Sequence, residues 1–359
     1  MNETMDAKGI LLELLELAGP SGHEQRVARK IRDVLSCFTD DIRVDPLGSL
    51  IACVQGEGAN DRPRIMIAAH MDEIGLIVTK IEEGGYLRVA NLGGVDARTI
   101  VAQEVTVHTK KGDLRGIVGS KPPHLTSAEE RKKAIPLESL YVDLAMPEHQ
   151  VREYVELGDC VTVYRRPMEL QNGYIAGKSL DNRASVAALF VCLQEMKRLR
   201  VQADVYMVTT VQEELGLRGA GTAAFGIHPD LAIAVDVTFG KLPGQAPDQS
   251  MILGEGPAIC FGPNIHRNIH RRFLDVAEDL RIPHQIELTQ ASTGTDAWAI
   301  QVTQGGIPSG LVSIPLRYMH TSVETVNFAD IEMTGKLLAH FVASIDRSFV
   351  EGLRCYLKN

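Results

Sequence analysis

Residues 208–219 read Val-Thr-Thr-Val-Gln-Glu-Glu-Leu-Gly-Leu-Arg-Gly. An apolar, β-branched run leads into two adjacent carboxylates, Glu213 and Glu214, and then into a glycine-broken turn. Composition and spacing predict a strand over Ala203–Val211 and a short helix over Leu217–Phe225, with the acidic pair at the junction. The same succession recurs downstream. Strands are expected at Leu231–Val235, His284–Leu288 and Gly310–Ile314. Helices are expected at Asn182–Leu199, Ile265–Leu280, Thr295–Thr303 and Phe328–Phe349. Alternation of this kind is the pattern of an α/β sheet covered by helices on both faces.

Upstream, residues 5–18 and a following segment to Cys37 have amphipathic helical spacing. Residues 41–54 read as a hairpin turning at Pro46-Leu-Gly48. Arg64–Ala69 (RIMIAA) is a nearly continuous apolar run, suited to a strand buried on both faces. Between Ile74 and Tyr164 the texture changes: short β-branched segments recur between glycine turns and helical periodicity fades. This reads as a small all-β module, barrel or sandwich, inserted into the α/β domain. The expected division is therefore 1–72 with 166–359 as one α/β unit and 73–165 as the insertion. Within the insertion, 121–140 is polar, Pro-flanked and charge-dense, as an exposed, mobile loop is.

Composition narrows the function. The chain has 359 residues, a net charge of −9 and 45% hydrophobic residues. Its basic residues form no stripe, which argues against a nucleic-acid partner. No apolar run is long enough to span a bilayer, and the N-terminal stretch does not read as a signal peptide because Glu13 and Glu16 interrupt it. The six cysteines (Cys37, Cys53, Cys160, Cys192, Cys260 and Cys355) are widely spaced. They are expected to be buried small hydrophobes in a reducing cytoplasm.

Open α/β sheets place their sites beyond the carboxyl ends of the strands. There the chain carries His70 and Asp72 after RIMIAA, Glu213 and Glu214 after the quoted strand, Asp236 after LAIAV, and His320 in the loop after GLVSI; Asp181 opens a helix. Each residue has an ordinary explanation on its own: Asp181 a helix cap, Glu213-Glu214 a solvated strand end, His70 a satisfied core histidine. Only Asp236, after four or five apolar residues, is hard to explain without a partner. Their coincidence at strand ends is what those explanations leave unaccounted for. Imidazole with carboxylate oxygen is the donor set of zinc, cobalt or manganese. His70 and Asp72, two apart, point to one side of an extended segment, so Asp72 can hold the ring nitrogen that faces away from a metal. Glu213 and Glu214 must diverge, leaving one to ligate and the other to act as base.

At this point the chain resembles the M42 metallo-aminopeptidases, the glutamyl aminopeptidase and TET peptidase group within the two-metal exopeptidases of the MH clan. The matching stretches are AAHMDEIG (68–75), GKSLDNR (177–183), QEELGLRGA (212–220), AVDVT (234–238), TGTDA (293–297) and GIPSGLVSIPLRYMHTSVETV (306–326). The resemblance implies two divalent ions per subunit, zinc or cobalt. His70 and Asp236 would hold one, Glu214 and His320 the other. Asp181 would bridge them, Glu213 would be the general base and Asp72 would orient His70. It further implies peptide substrates cut at the N-terminus, and dimers built through the β insertion into a dodecamer. Rival readings are an amidase or deacylase of the same clan and, more remotely, a two-carboxylate glycoside hydrolase, which needs carboxyls about 5–9.5 Å apart. The Gly173–Ser179 stretch is one residue short of a phosphate loop, and His266-Arg-Asn-Ile-His270 lacks the glutamate of a zincin helix. The preferred N-terminal residue, and any contribution from His124 or Asp296, are left open; Asp296 reads as an outer partner of the site or as a helix cap.

Overall fold

The computed structural model describes residues 5–57, 61–245 and 250–353. Strands β1 (Ile42–Val44), β2 (Leu50–Val54) and β3 (Arg64–His70) open the large sheet. A barrel follows: β4 (Gly75–Ile81), β5 (Leu87–Leu92), β6 (Glu104–Thr109), β7 (Gly112–Gly119), β8 (Tyr141–Asp143) and β9 (Cys160–Val163). The chain then returns to the large sheet as β10 (Met168–Glu169), β11 (Tyr174–Gly177), β12 (Asp204–Thr210), β13 (Leu231–Phe239), β14 (Ala258–Phe261), β15 (Gln285–Leu288), β16 (Ser309–Arg317) and β17 (Glu324–Asn327).

The centre of the large sheet is four parallel strands in the order β12-β3-β13-β16. Antiparallel β2 and β1 extend it on one side and β17, β11 and β10 on the other, while β14 and β15 branch from β16. Successive side chains of a strand point to opposite faces, and RIMIAA uses both. Ile65 and Ile67 pack with Phe190 and Leu193 of the helix Leu180–Met196 and with Phe341 of the helix Phe328–Ala343. Met66 and Ala68 pack with Ala220 and Ala224 of the helix Arg218–Ile227 and with Ile300 of the helix Asp296–Gln301. Each fully buried side chain of the larger kind contributes roughly 1.5–3 kcal/mol, so this strand is held firmly where its last residue must be positioned.

The barrel closes β4-β5-β8-β7-β6-β9 and has its own core, with Leu76, Val78, Val105, Val107, Val142 and Val161 alternating inward. The hairpin at 41–54 forms as expected, its turn closed by Asp45, whose Oδ1 accepts from the backbone N–H groups of Leu47, Gly48 and Ser49.

Several expectations change. The closing helix is two helices, Phe328–Ala343 and Arg347–Leu353. Asp346 between them accepts from the N–H of Phe349 and starts the second. β13 does not stop at Val235; Val237-Thr238-Phe239 carry it on against β16, so Asp236 lies inside a strand. The segments Tyr174–Gly177, Ala258–Phe261 and Glu324–Asn327, unassigned in the sequence, add strands. The 121–140 segment is mostly exposed and holds three 3-10 turns. Cys37 is exposed, Cys53, Cys160, Cys192 and Cys260 are buried, and Cys355 lies outside the described residues.

Candidate metal centre

Strand register assembles the site. His70, the last residue of β3, pairs with Thr210 at the end of β12, and Glu213 and Glu214 follow just beyond. On the other side Ala68 pairs with Ala234, so two residues further on His70 and Asp236 are level. Backbones in the left-handed region supply the remaining side chains: Ser179 (φ 55°) precedes Asp181, Gln212 (φ 54°) precedes Glu213, and His320 itself has φ 60°. Non-glycine residues adopt this region at a cost and cluster at functional sites.

The distances define two facing halves. His70 Nε2 is 3.1 Å from Asp181 Oδ1 and 3.8 Å from both Asp236 Oδ1 and Glu213 Oε2. His320 Nε2 is 3.4 Å from Asp181 Oδ2 and 3.3 Å from Glu214 Oε1. The two oxygens of Asp181 thus face different histidines. Glu213 and Glu214 diverge, one toward each. Donor atoms of His70, Asp181 and Asp236 lie within 4.8 Å of one another, as do those of Asp181, Glu214 and His320 and those of His70, Glu213 and Glu214. All seven residues singled out in the sequence come together here, Asp72 beside His70 with Oδ1 3.5 Å from Nδ1.

The electrostatics call for positive charge. Burial pushes the Glu213 carboxyl up to about 10, with Asp236, Asp296 and Glu214 adding to the shift and His70 opposing it. Burial likewise raises Asp236, which also feels Asp181. Asp181 moves the other way: burial is outweighed by hydrogen bonds to His320 and His70, which hold it below the usual carboxylate range. Bonds to Asp181 and Glu214 raise His320 to about 11. Carboxylates this close, out of water, carry a cost of several kcal/mol each unless cations offset it. Imidazole and carboxylate donors in overlapping groups that share Asp181 fit a pair of divalent transition-metal ions.

Three supports carried no role in the sequence reading. Glu324, fully inside the protein, accepts from the N–H of Asp181 with Oε2 and from the N–H of His320 with Oε1, holding one residue from each half. Gly94, from the barrel, receives the Nδ1 proton of His320 on its carbonyl at 3.1 Å, which leaves Nε2 to face Asp181 and Glu214. A Cβ at Gly94 would stand 2.6 Å from that Nδ1, so only glycine allows the approach. Ser21 donates to Asp72 Oδ2 at 2.5 Å, while Asp72 accepts from the N–H of both Glu213 and Glu214. Asp72 therefore holds the acidic pair as well as lying against His70. The signal for Glu324 was weak but present: a carboxylate set among the β-branched residues Val323, Thr325 and Val326.

The other motifs resolve simply. Asp181 is not a helix cap; Ser179 occupies that position and Asp181 has non-helical backbone angles. Asp296 is the first residue of its helix and accepts from Thr210 Oγ1 at 2.6 Å, adding charge near Glu213. His266 accepts from the N–H of Asn268 and His270 Nδ1 bonds the Cys260 carbonyl, so that pair is structural. His124 sits exposed in a 3-10 turn, outside the donor groups.

Comparison with known proteins gives a consistent result. The sequence profile of the M42 glutamyl aminopeptidase family matches residues 48–337. Over 335 residues the chain is 36% identical to the lysyl aminopeptidase of Pyrococcus furiosus, covering 91% of this chain and 94% of the relative. A TET aminopeptidase from the marine sediment archaeon Thaumarchaeota archaeon SCGC AB-539-E09 has a TM-score of 0.92 at 32% identity, with 97% of this chain and 98% of that chain covered. The Pyrococcus horikoshii TET1 peptidase, whose structure shows assembly into a tetrahedron or a large octahedral shell, has a TM-score of 0.83 at 31% identity, covering 95% and 100%.

Proposed function

The chain belongs to the M42 glutamyl aminopeptidase family and is an aminopeptidase, and from that premise we propose that it removes N-terminal residues from peptides with two divalent ions, zinc or cobalt. The observation that carries this reading is Asp181, whose two oxygens face His70 and His320 separately. His70 and Asp236 would hold one ion and Glu214 and His320 the other, with Asp181 facing both; ions bound there would supply Lewis-acid chemistry, acidifying a water and polarising a carbonyl.

The chain's own residues do the rest. Glu213 takes the proton from the attacking water and returns it to the leaving amine; its carboxylate faces the His70 half of the site, with Oε2 3.8 Å from His70 Nε2. Asp72 fixes the Glu213 backbone by accepting its N–H at 3.0 Å, which sets where that base points. Glu324 keeps Asp181 and His320 in mutual register.

The chain divides into a catalytic unit, 1–72 with 166–359, and an inserted barrel, 73–165. The barrel carries assembly: dimers combine into a dodecameric shell that encloses the sites and admits unfolded peptides. Support for this is the similarity to a shell-forming peptidase, and light scattering tests it, a monomer counting against the shell. No helix among the described residues is long and apolar enough to cross a membrane. The unpaired state of the described cysteines supports a reducing compartment, the cytoplasm.

The deciding experiment loads the protein with zinc or cobalt and offers aminoacyl anilides beside N-acylated amino acids. Hydrolysis of the anilides alone, lost with a chelator, is expected. Cleavage confined to the N-acylated compounds would make it an amidase instead.

A further inference from the structure

A cavity of about 450 Å3 opens on His70, Glu213, Asp236 and His320 and continues along β13 to Glu287. Glu287 belongs to β15 and carries no role in the metal centre. Its position relative to that centre follows from strand geometry. Thr238 stands two residues beyond Asp236 on the same face of β13, roughly 7 Å further on, and its Oγ1 donates to Glu287 Oε1 at 2.5 Å. Ser313, the cross-strand partner of Asp236, donates its Oγ to Glu287 Oε2 at 2.7 Å. Both carboxylate oxygens are thus tied to neighbours of Asp236, and the group is fixed about one long side chain away from the centre.

Among the described residues this carboxylate has no counter-charge. No lysine, arginine or histidine nitrogen among them forms an ion pair with it, and the cavity wall carries neither lysine nor arginine. Burial accordingly moves its carboxyl above the usual range, with the two hydroxyls pulling the other way. Cys260 and Leu311 line the same cavity and offer an apolar wall. A lysine or arginine side chain matches both features: an aliphatic stem for the wall and a cation for the end.

We propose that Glu287 selects the substrate, pairing with the cationic side chain of an N-terminal lysine or arginine while the peptide's first carbonyl lies at the metal centre. The assignment rests on the aminopeptidase reading above and adds the substrate class to it. An acidic first residue would meet Glu287 with like charge, and an aliphatic one would leave it unpaired.

The test compares the metal-loaded full chain with its Glu287→Gln and Glu287→Asp variants on lysyl, arginyl, leucyl and glutamyl p-nitroanilides, metal content being checked in each. The wild type is expected to rank lysyl or arginyl first and glutamyl last. Glu287→Gln should lower the lysyl-to-leucyl ratio of kcat/KM about 100-fold, whereas Glu287→Asp, which keeps the charge, should hold it within about tenfold of wild type. A wild-type preference for leucyl or glutamyl substrate overturns the assignment without any variant having to fold. So does a Glu287→Gln loss that is equal on all four substrates. Failure of the metal-loaded wild type to cleave any of the four overturns the peptidase reading, and this assignment with it.

Discussion

His70 and His320 reach the same Asp181 carboxylate from opposite sides, yet they are held in different ways. The His70 side chain is 2% exposed and that of His320 is 32% exposed. His70 ends a central parallel strand with neighbours on both sides, so sheet hydrogen bonds and the apolar core fix it before any ligand arrives. His320 sits in the turn between β16 and β17, and its ring is aimed by a carbonyl from the barrel, Gly94, and by Glu324 at its backbone. One half of the site is a consequence of the sheet. The other exists only once barrel and sheet meet, and an ion held there should exchange more readily.

The largest effect concerns Glu213, the proposed base. Glu213→Gln should leave two metals in place, read by elemental analysis, and lower kcat about 1,000-fold; a variant that keeps normal turnover would remove Glu213 from proton transfer. Next comes the asymmetry itself. His70→Ala should cost roughly 3 kcal/mol in a metal-free urea titration, because buried carboxylates lose their partner. His320→Ala, at a side chain about a third exposed, should cost about 1 kcal/mol or less and retain one metal. Equal losses from the two would break the comparison.

A smaller and more selective change is Gly94→Ala. Pressing on His320 Nδ1, it should weaken one metal about tenfold and leave the other and the thermal midpoint nearly unchanged; competition with a fluorescent chelator separates the two ions. Loss of both would mean the halves are not independent.

A pH-dependent effect sharpens the His70 side. Glu24, which accepts from the N–H groups of Gly22 and Gln212, is pushed up to about 7 by burial, with the Asp72 charge adding. A carboxyl raised on folding binds more protons in the folded than in the unfolded state. Its ionisation therefore removes stability as pH rises from about 4.5 to about 7, with a slope no steeper than about 1.4 kcal/mol per pH unit. Glu24→Gln should abolish that component, so that its midpoint relative to wild type climbs across the same window. A flat difference would place the titration elsewhere.

Much of this was open to reading in one dimension because it depends on local pattern. Strand and helix periods reveal the α/β alternation and the change of texture at the barrel. A strand that ends in a charged pair, or an aspartate after an apolar run, marks a place where burial demands a partner. Adjacency alone separates Glu213 from Glu214, and spacing alone puts Asp72 beside His70. Boundaries were less legible: whether Asp236 follows a strand or lies within it depends on β16 pairing, and the break at Asp346 on a cap that competes with an otherwise continuous helical pattern.

Composition, period and the order of charged residues therefore determined the kind of fold and a set of candidate side chains with their donor atoms, since these follow from properties of neighbouring residues. Packing alone settled which residue supports which. Gly94 and His320, or Glu287 and Asp236, meet through the meeting of barrel and sheet or through strand pairing, and a contact made across such sequence distances leaves no periodic trace in the chain.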